Sequence, residues 1–198
     1  MNTPLFRSAH DALVFAFNYS SQQYGKTPMS KVAVPASGSG KGLSGTDGAA
    51  QSGMIRLEVS ALGKLPEAIL IARFAPHTMS CSCRSSCCSG KEPNREWSNA
   101  ISYLAQYLED VTLKDCYTTW DMRMQYVMRQ FLKKDQRVSL DEIAKRNDVT
   151  ERTAISHSQI VSQFFNGYRK EKERVPGMEE LARSEIERRL LESGMVGG

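Results

Sequence analysis

The 198-residue chain has no long apolar run, and its longest uninterrupted aliphatic stretch is residues 68–72. A helix that crosses a bilayer needs about 18 or more apolar residues in succession. The first residues also lack the pattern of a signal peptide, because Arg7, His10 and Asp11 interrupt it. We therefore expect no membrane segment and a cytoplasmic protein.

An excess of one charge sign is also missing. The chain has 26 Lys and Arg against 22 Asp and Glu, a net charge of +4. This balance excludes a strongly basic tail protein, so any surface that binds phosphate must arise from local clustering. Hydrophobic residues make up 40% and charged residues 24%, close to the average for globular proteins, so a core can form without disulfides or metals.

Alternating strand patterns are scarce, whereas apolar residues recur every three or four positions along most of the chain. Such helical patterns occupy residues 5–24, 46–62, 66–74, 97–108, 122–132 and 178–193. We therefore predict an all-α fold, a helical bundle with a C-terminal helix-turn-helix and a cysteine-rich loop.

A change in amino-acid composition separates the first predicted helix from the others. Residues 26–48 hold two prolines and the run ASGSGKGLSGTDG, which is typical of a flexible linker. Its GSGKG is no complete phosphate loop, because Pro35 and Gly42 stand where that motif needs glycine and a hydroxyl residue. The predicted parts are an N-terminal helix (1–25), the linker (26–48), a helical region with cysteine loop 77–90 (49–118), a helix-turn-helix region (119–175), and a C-terminal helix and tail (176–198).

Residues 139–165, which we call the two-helix unit, have the pattern of helix, tight turn and helix. Ser139 and Thr150 can each cap a helix, and Asn147 and Asp148 tolerate the backbone of a tight turn. The pattern resembles the DNA-binding helix-turn-helix, as in region 4 of sigma factors, whose second helix enters the major groove. The alternative is an ordinary helical hairpin with a solvated polar face.

The second helix of this unit has an apolar face formed by Ala154, Val161, Phe165 and Tyr168. Arginine can read guanine, glutamine can read adenine, and hydroxyls or helix N-terminal amides can hold phosphate. The following RKEKER, residues 169–174, either contacts the DNA backbone or is a solvated helix end. We predict DNA contacts at Thr150, Glu151, Arg152, Thr153, Ser156, Gln159, Gln163, Arg169 and Lys170.

Four of the five cysteines lie within residues 81–88. Thiolate and imidazole are the ligands that zinc prefers, and four of them complete a structural site. The candidate ligands of a structural zinc, from which four would be drawn, are His77, Cys81, Cys83, Cys87 and Cys88. Local disulfides and free thiols stay open as alternatives. We expect no enzyme, because catalysis by a cysteine needs a base and an orienting group, and only His77 is near.

The stretch GLSGTDGAAQSGMIRLEVSALGKL resembles the opening helix region of the lambda-type late antitermination proteins of bacteriophages. The match comprises Leu43, Ser44, Gly45, Thr46, Asp47, Ala50, Gln51, Gly53 and Met54. Residues 96–111 are similar in pattern to that family's next helix, and the resemblance covers residues 43–168. That family's zinc site uses paired Cys-x-x-Cys spacing, from which this loop departs.

The resemblance implies a phage or prophage transcription regulator in a bacterial host. Such a protein would bind double-stranded DNA near a late promoter, contact host RNA polymerase through its N-terminal helices and cause antitermination. One alternative is a DNA-packaging recognition subunit similar to a small terminase, in which residues 178–191 would join a homo-oligomer. The other is a thiol or zinc enzyme centred on the cysteine loop.

Overall fold

The computed structural model describes residues 5–24, 45–81, 83, 89–170 and 173–197. Within these residues the helices are α1 (Ala9–Tyr24), α2 (Gly45–Ser60), α3 (Lys64–Phe74), α4 (Arg95–Tyr107), α5 (Trp120–Phe131), α6 (Leu140–Arg146), α7 (Glu151–Asn166) and α8 (Met178–Glu192). A π-helical turn, Leu108–Thr112, extends α4, and a short 3-10 turn, Lys134–Gln136, precedes α6. Strands β1 (Thr78–Ser80) and β2 (Lys91–Pro93) form one antiparallel hairpin, and β3 (Gly167–Lys170) and β4 (Glu173–Pro176) form a second.

The predicted all-α class is confirmed, because helices dominate and the strands form only two small hairpins in the described part of the chain. Both hairpins differ from the purely helical pattern of the sequence. No helix among the described residues has the length and apolar character needed to span a bilayer.

The N-terminal helix is shorter than predicted. Phe6 forms a β-bridge with Val196, in which the Phe6 amide donates to the Met195 carbonyl at 3.2 Å and the Phe6 carbonyl accepts from Gly197 at 3.2 Å. These hydrogen bonds hold Phe6 in an extended segment, so α1 begins at Ala9. A start at residue 5 is therefore wrong.

Most of the predicted linker, residues 26–44, lies outside the described residues. Its last four residues belong to α2, so the linker ends earlier than predicted. Gly48 lies at a close approach between α1 and α2, because a Cβ atom on Gly48 would lie 2.5 Å from a ring carbon of Tyr19. Glycine therefore serves helix packing there, in addition to any role in chain flexibility.

The chain forms two compact units, one of Met1–Ser98 with Arg183–Gly198 and one of Asn99–Ala182. In the first unit, Ile55, Ile69 and Ile186 are completely buried. Arg56 pairs with Glu96 at 2.5 Å and stacks on an aromatic ring. This unit therefore combines an apolar core with a partly exposed ion pair.

The predicted apolar strip of α8 is only partly buried. Ile186 and Leu190 belong to the core of the first unit, whereas Leu181 and Leu191 are exposed. The helix therefore packs on its own chain through part of the strip. Pairing with another subunit stays a prediction.

The second unit is built on α5, α6 and α7. Tyr126 of α5, Ile143 of α6 and Val161 of α7 have no exposed surface. The ring of Phe131 meets the ring of Phe165 edge to face, with 5.3 Å between centroids. Three helices thus share one apolar centre, which fixes their mutual orientation.

The hairpin β3–β4 contradicts the alternative in which residues 169–174 are a solvated helix end. Gly167 ends α7 at φ 79°, a conformation that favours glycine. A Cβ on Gly167 would lie 2.3 Å from the Val175 carbonyl oxygen, and one on Gly177 would lie 2.2 Å from the Phe165 carbonyl oxygen. Tyr168 consequently leaves the predicted apolar face of α7 and is 44% exposed.

Replacing Gly167 with alanine should destabilise the second unit by about 2 kcal/mol or more, since left-handed backbone costs roughly 1–2 kcal/mol before any clash. Urea unfolding followed by circular dichroism measures this loss. The control is Gly53→Ala, where the new Cβ meets no atom of the described residues within 4 Å. That change in α2 should stabilise by about 0.5–1 kcal/mol. Equal stability of Gly167→Ala and the parent would contradict the hairpin geometry.

Candidate nucleic-acid interface

The two-helix unit follows the helix, turn and helix path that its sequence indicates. The Ser139 hydroxyl accepts from the Glu142 amide at 3.1 Å, and the Thr150 hydroxyl accepts from the Thr153 amide at 3.2 Å. Asp148 is in the left-handed region at φ 51°, alone among the described non-glycine residues. Both predicted caps and the turn are therefore present, while DNA binding stays a prediction.

Asn147 does more than permit the turn. Its side-chain nitrogen donates to the Ile143 carbonyl at 2.9 Å and to the Asp121 carboxylate at 3.2 Å. Its side-chain oxygen accepts from the Thr119 hydroxyl, and Thr119 also caps α5 by accepting from the Met122 amide. Asn147 thus joins the end of α6 to the start of α5. The sequence pattern contained no signal for this second role.

One face of α7 packs against the core of the second unit. The buried stripe of α7 consists of Ala154, His157, Val161 and Phe165, at spacings of three and four residues. The opposite side, which we call the outward stripe, consists of Arg152, Ser156, Gln159 and Gln163, all exposed. Burial of the first stripe therefore determines which side chains face solvent.

The structure separates the predicted DNA-contacting residues into three groups. Thr150 and Thr153 lie at the start of α7, where their hydroxyls share a hydrogen bond at 2.8 Å. The exposed surface of α7 contains Glu151 and the outward stripe. Arg169 and Lys170 lie on β3 and not on a continuation of the helix. The predicted residues thus lie at the start of α7, along its exposed surface and on the adjoining strand β3.

The second hairpin places two arginines directly opposite each other. Arg169 pairs in register with Arg174, so their side chains share one face. The Arg174 side chain forms an ion pair with Glu180 at 2.7 Å, whereas the Arg169 side chain forms no ion pair or hydrogen bond within the described residues. Like charges opposite each other repel, and an anion at this face would relieve that repulsion.

A basic cleft beside α7 was not indicated by any motif. It has a volume of about 360 Å³ and is lined by Arg129, Gln130, Arg137, Leu140, Ile155, Ser158, Gln159 and Ser162. Of these, Gln159 also belongs to the outward stripe. A signal in the sequence does exist, because residues 129–137 contain four basic residues and one acidic residue.

His157 is an uncommon residue in the buried stripe of α7. It is 7% exposed, and its ring meets the Tyr126 ring edge to face at 6.0 Å. Its Nδ1 has no hydrogen-bond partner within the described residues. Burial lowers the pKa of His157 below the ordinary 6.5, and burial raises the pKa of Tyr126 to about 12. Both groups are therefore neutral near pH 7.

Acidification should destabilise the second unit through His157. Below pH 6.5 the unfolded histidine binds a proton more readily than the folded one, so stability is complete above that pH and falls as pH decreases. Unfolding experiments between about pH 7.5 and 5.5 measure this slope, which His157→Gln should flatten. Ser156→Ala, an exposed change without a titratable group on the same helix, should leave the slope unchanged. Parallel slopes for His157→Gln and the parent would contradict this role.

The cysteine loop emerges from the first hairpin. The Cys81 amide donates to the Gly90 carbonyl at 3.0 Å, and the Asn94 amide donates to the His77 carbonyl at 2.9 Å. The His77 ring lies 4.7 Å from the indole of Trp97. Cys87 and Cys88 lie outside the described residues, and among described residues no group of three potential ligands is assembled. The zinc site therefore stays a prediction.

Comparisons of the chain with protein-family models, curated proteins and solved structures gave no match.

Proposed function

We propose that the protein is a DNA-binding transcription regulator in which the outward stripe of α7 enters the major groove. The observation that carries this proposal is the fixed rotation of α7. Its buried stripe of four residues holds the helix in one orientation, so the opposite side presents arginine, serine and two glutamines together. These are residue types that contact base edges and phosphates in a major groove.

The second hairpin extends this surface. β3 follows α7 directly, and the close backbone contacts at Gly167 and Gly177 leave its base little freedom. Arg169 and Lys170 are exposed on β3. In this proposal they bind phosphates beside the groove, while α7 reads bases. The hairpin contributes affinity, and the outward stripe contributes sequence preference.

A narrower proposal rests on the resemblance to lambda-type late antitermination proteins. In that role the second unit would hold DNA near a late promoter, and α1–α3 would contact host RNA polymerase. A footprint on DNA flanking the gene, with and without polymerase, tests both levels. Protection by the protein alone supports the regulator, and read-through of a terminator supports antitermination. If no DNA is protected in either case, both are wrong.

Alanine substitutions should separate base readers from phosphate binders. Arg152→Ala or Gln159→Ala should cost about 1–3 kcal/mol on the preferred site and relax sequence preference. Lys170→Ala should weaken binding evenly on all duplexes and reduce the salt slope by about one. Fluorescence titrations on two sequences at several salt concentrations measure these effects.

The control for this series is Ser184→Ala, an exposed change in α8 that should alter neither affinity nor preference. If Arg152→Ala weakens binding to every sequence equally, Arg152 does not read bases. If Lys170→Ala alters preference between sequences, the division between helix and hairpin is wrong.

A structural zinc at the cysteine loop is a separate proposal. The first hairpin supports it, since paired strands bring the ends of the loop together and place Cys81 beside Gly90. Metal analysis of the purified chain should find about one zinc per molecule, as a closed structural site requires. Cys83→Ser should lose that metal, and Cys116→Ser in the other unit should keep it. A folded chain without zinc would refute the proposal.

A further inference from the structure

The basic cleft contains two arginines that are already held in place by the backbone. Arg129 donates from Nη1 to the Val138 carbonyl, and Arg137 donates from Nε to the Leu132 carbonyl at 2.8 Å. Each guanidinium carries five N–H donors. The remaining donors have no partner within the described residues. Two oriented sets of donors therefore remain for a ligand.

None of the described residues that line this cleft carries a carboxylate. Neither arginine forms an ion pair with a described residue. Burial, followed by the nearby charge of Arg137, lowers the pKa of Arg129. Lys133 and Lys134 are exposed on the same loop. Adjacent like charges repel, so this arrangement favours an anion more than an uncharged ligand.

The opposite wall of the cleft supplies hydroxyl and amide groups from α7. Ser158 and Ser162 are four residues apart and half-buried, and Gln159 lies between them. The hydroxyl donors together with the two guanidinium groups match the several acceptor oxygens of a phosphate. Ile155 and Leu140 also line the cleft.

We propose that the basic cleft binds a phosphate group, and that in the DNA complex this is a backbone phosphate beside the groove that α7 enters. The assignment to DNA rests on the proposed function. Gln159 lies on both the outward stripe and the cleft wall. A phosphate held by Arg129 and Arg137 would therefore fix the position of α7 relative to the bases, which is how backbone contacts support sequence reading.

The first arm of the test uses duplex DNA and the variant Arg137→Gln. Loss of one charge-assisted contact should weaken binding roughly tenfold on every sequence, with base preference unchanged. The slope of log affinity against log salt should fall by about 0.9, the value for one phosphate on B-DNA. Arg95→Gln is the matched control, an exposed arginine of α4 in the first unit. It should leave affinity and slope unchanged.

The second arm uses inorganic phosphate without DNA, at constant ionic strength maintained with chloride. Amide resonances of Ser158 and Ser162 should shift and saturate in the parent chain, and Arg137→Gln should abolish the shift. Circular dichroism confirms that the variant is folded. Where Arg137→Gln fails to fold, Ser162→Asp, which places a negative charge in the cleft, should give the same losses in both arms.

The outcomes separate this inference from the proposed function. Loss in both arms supports the DNA phosphate. A saturating phosphate shift with unchanged DNA binding and salt slope in the variant assigns the cleft to free phosphate and overturns its role on DNA. If the parent binds DNA, Arg137→Gln binds it equally well and phosphate shifts no amide resonance, the cleft is not a phosphate site. The proposed DNA-binding function is then unaffected. If the parent binds no duplex, the proposed function fails, and the phosphate shifts alone decide whether the cleft is an anion site.

Discussion

Burial of one stripe of α7 is the constraint on which the second unit depends. Val161 and Phe165 have no exposed surface, and the Phe131 ring lies against Phe165. Truncating a buried phenylalanine typically lowers the free energy of unfolding by about 3–5 kcal/mol, so rotation of α7 that exposed Phe165 would be strongly destabilising. The polar stripe on its other side is held outward by the same packing. Any recognition by α7 therefore depends on side chains that never touch the ligand.

Local clustering of arginines, and not the net charge of +4, determines the electrostatic properties of the second unit. Arg129 and Arg137 converge on one flank of α7, and Arg169 faces Arg174 on the hairpin that follows. Within the described residues, a carboxylate pairs with only one of these four arginines, Arg174. Repulsion among such groups is a cost in the free protein that an anionic ligand removes. This favours binding to a polyanion.

Short sequence patterns predicted the helices better than they predicted the tertiary contacts between distant residues. Ser139 and Thr150 are capping residues whose chemistry acts within three positions, so the sequence sufficed to predict them. The β3–β4 hairpin was not predictable, because a run of charged residues has no strand pattern. The need for glycine at Gly167 arises from backbone atoms of β4, which lie several residues away along the chain. The basic cleft joins Arg129 to Ser158 across 29 positions, which no short window reveals. The fold class was therefore predictable, and the flanks of the interface were not.

The most direct test of the central claim is amide hydrogen exchange of the whole chain, with and without duplex DNA. Groups that become covered or ordered by a ligand exchange more slowly. We predict slower exchange in α7, in β3 and β4, and in residues 132–139, with α1–α3 unchanged when polymerase is absent. Protection confined to the first unit, or identical exchange in both samples at saturating DNA, would contradict the assignment of α7 and its flanks as the nucleic-acid interface.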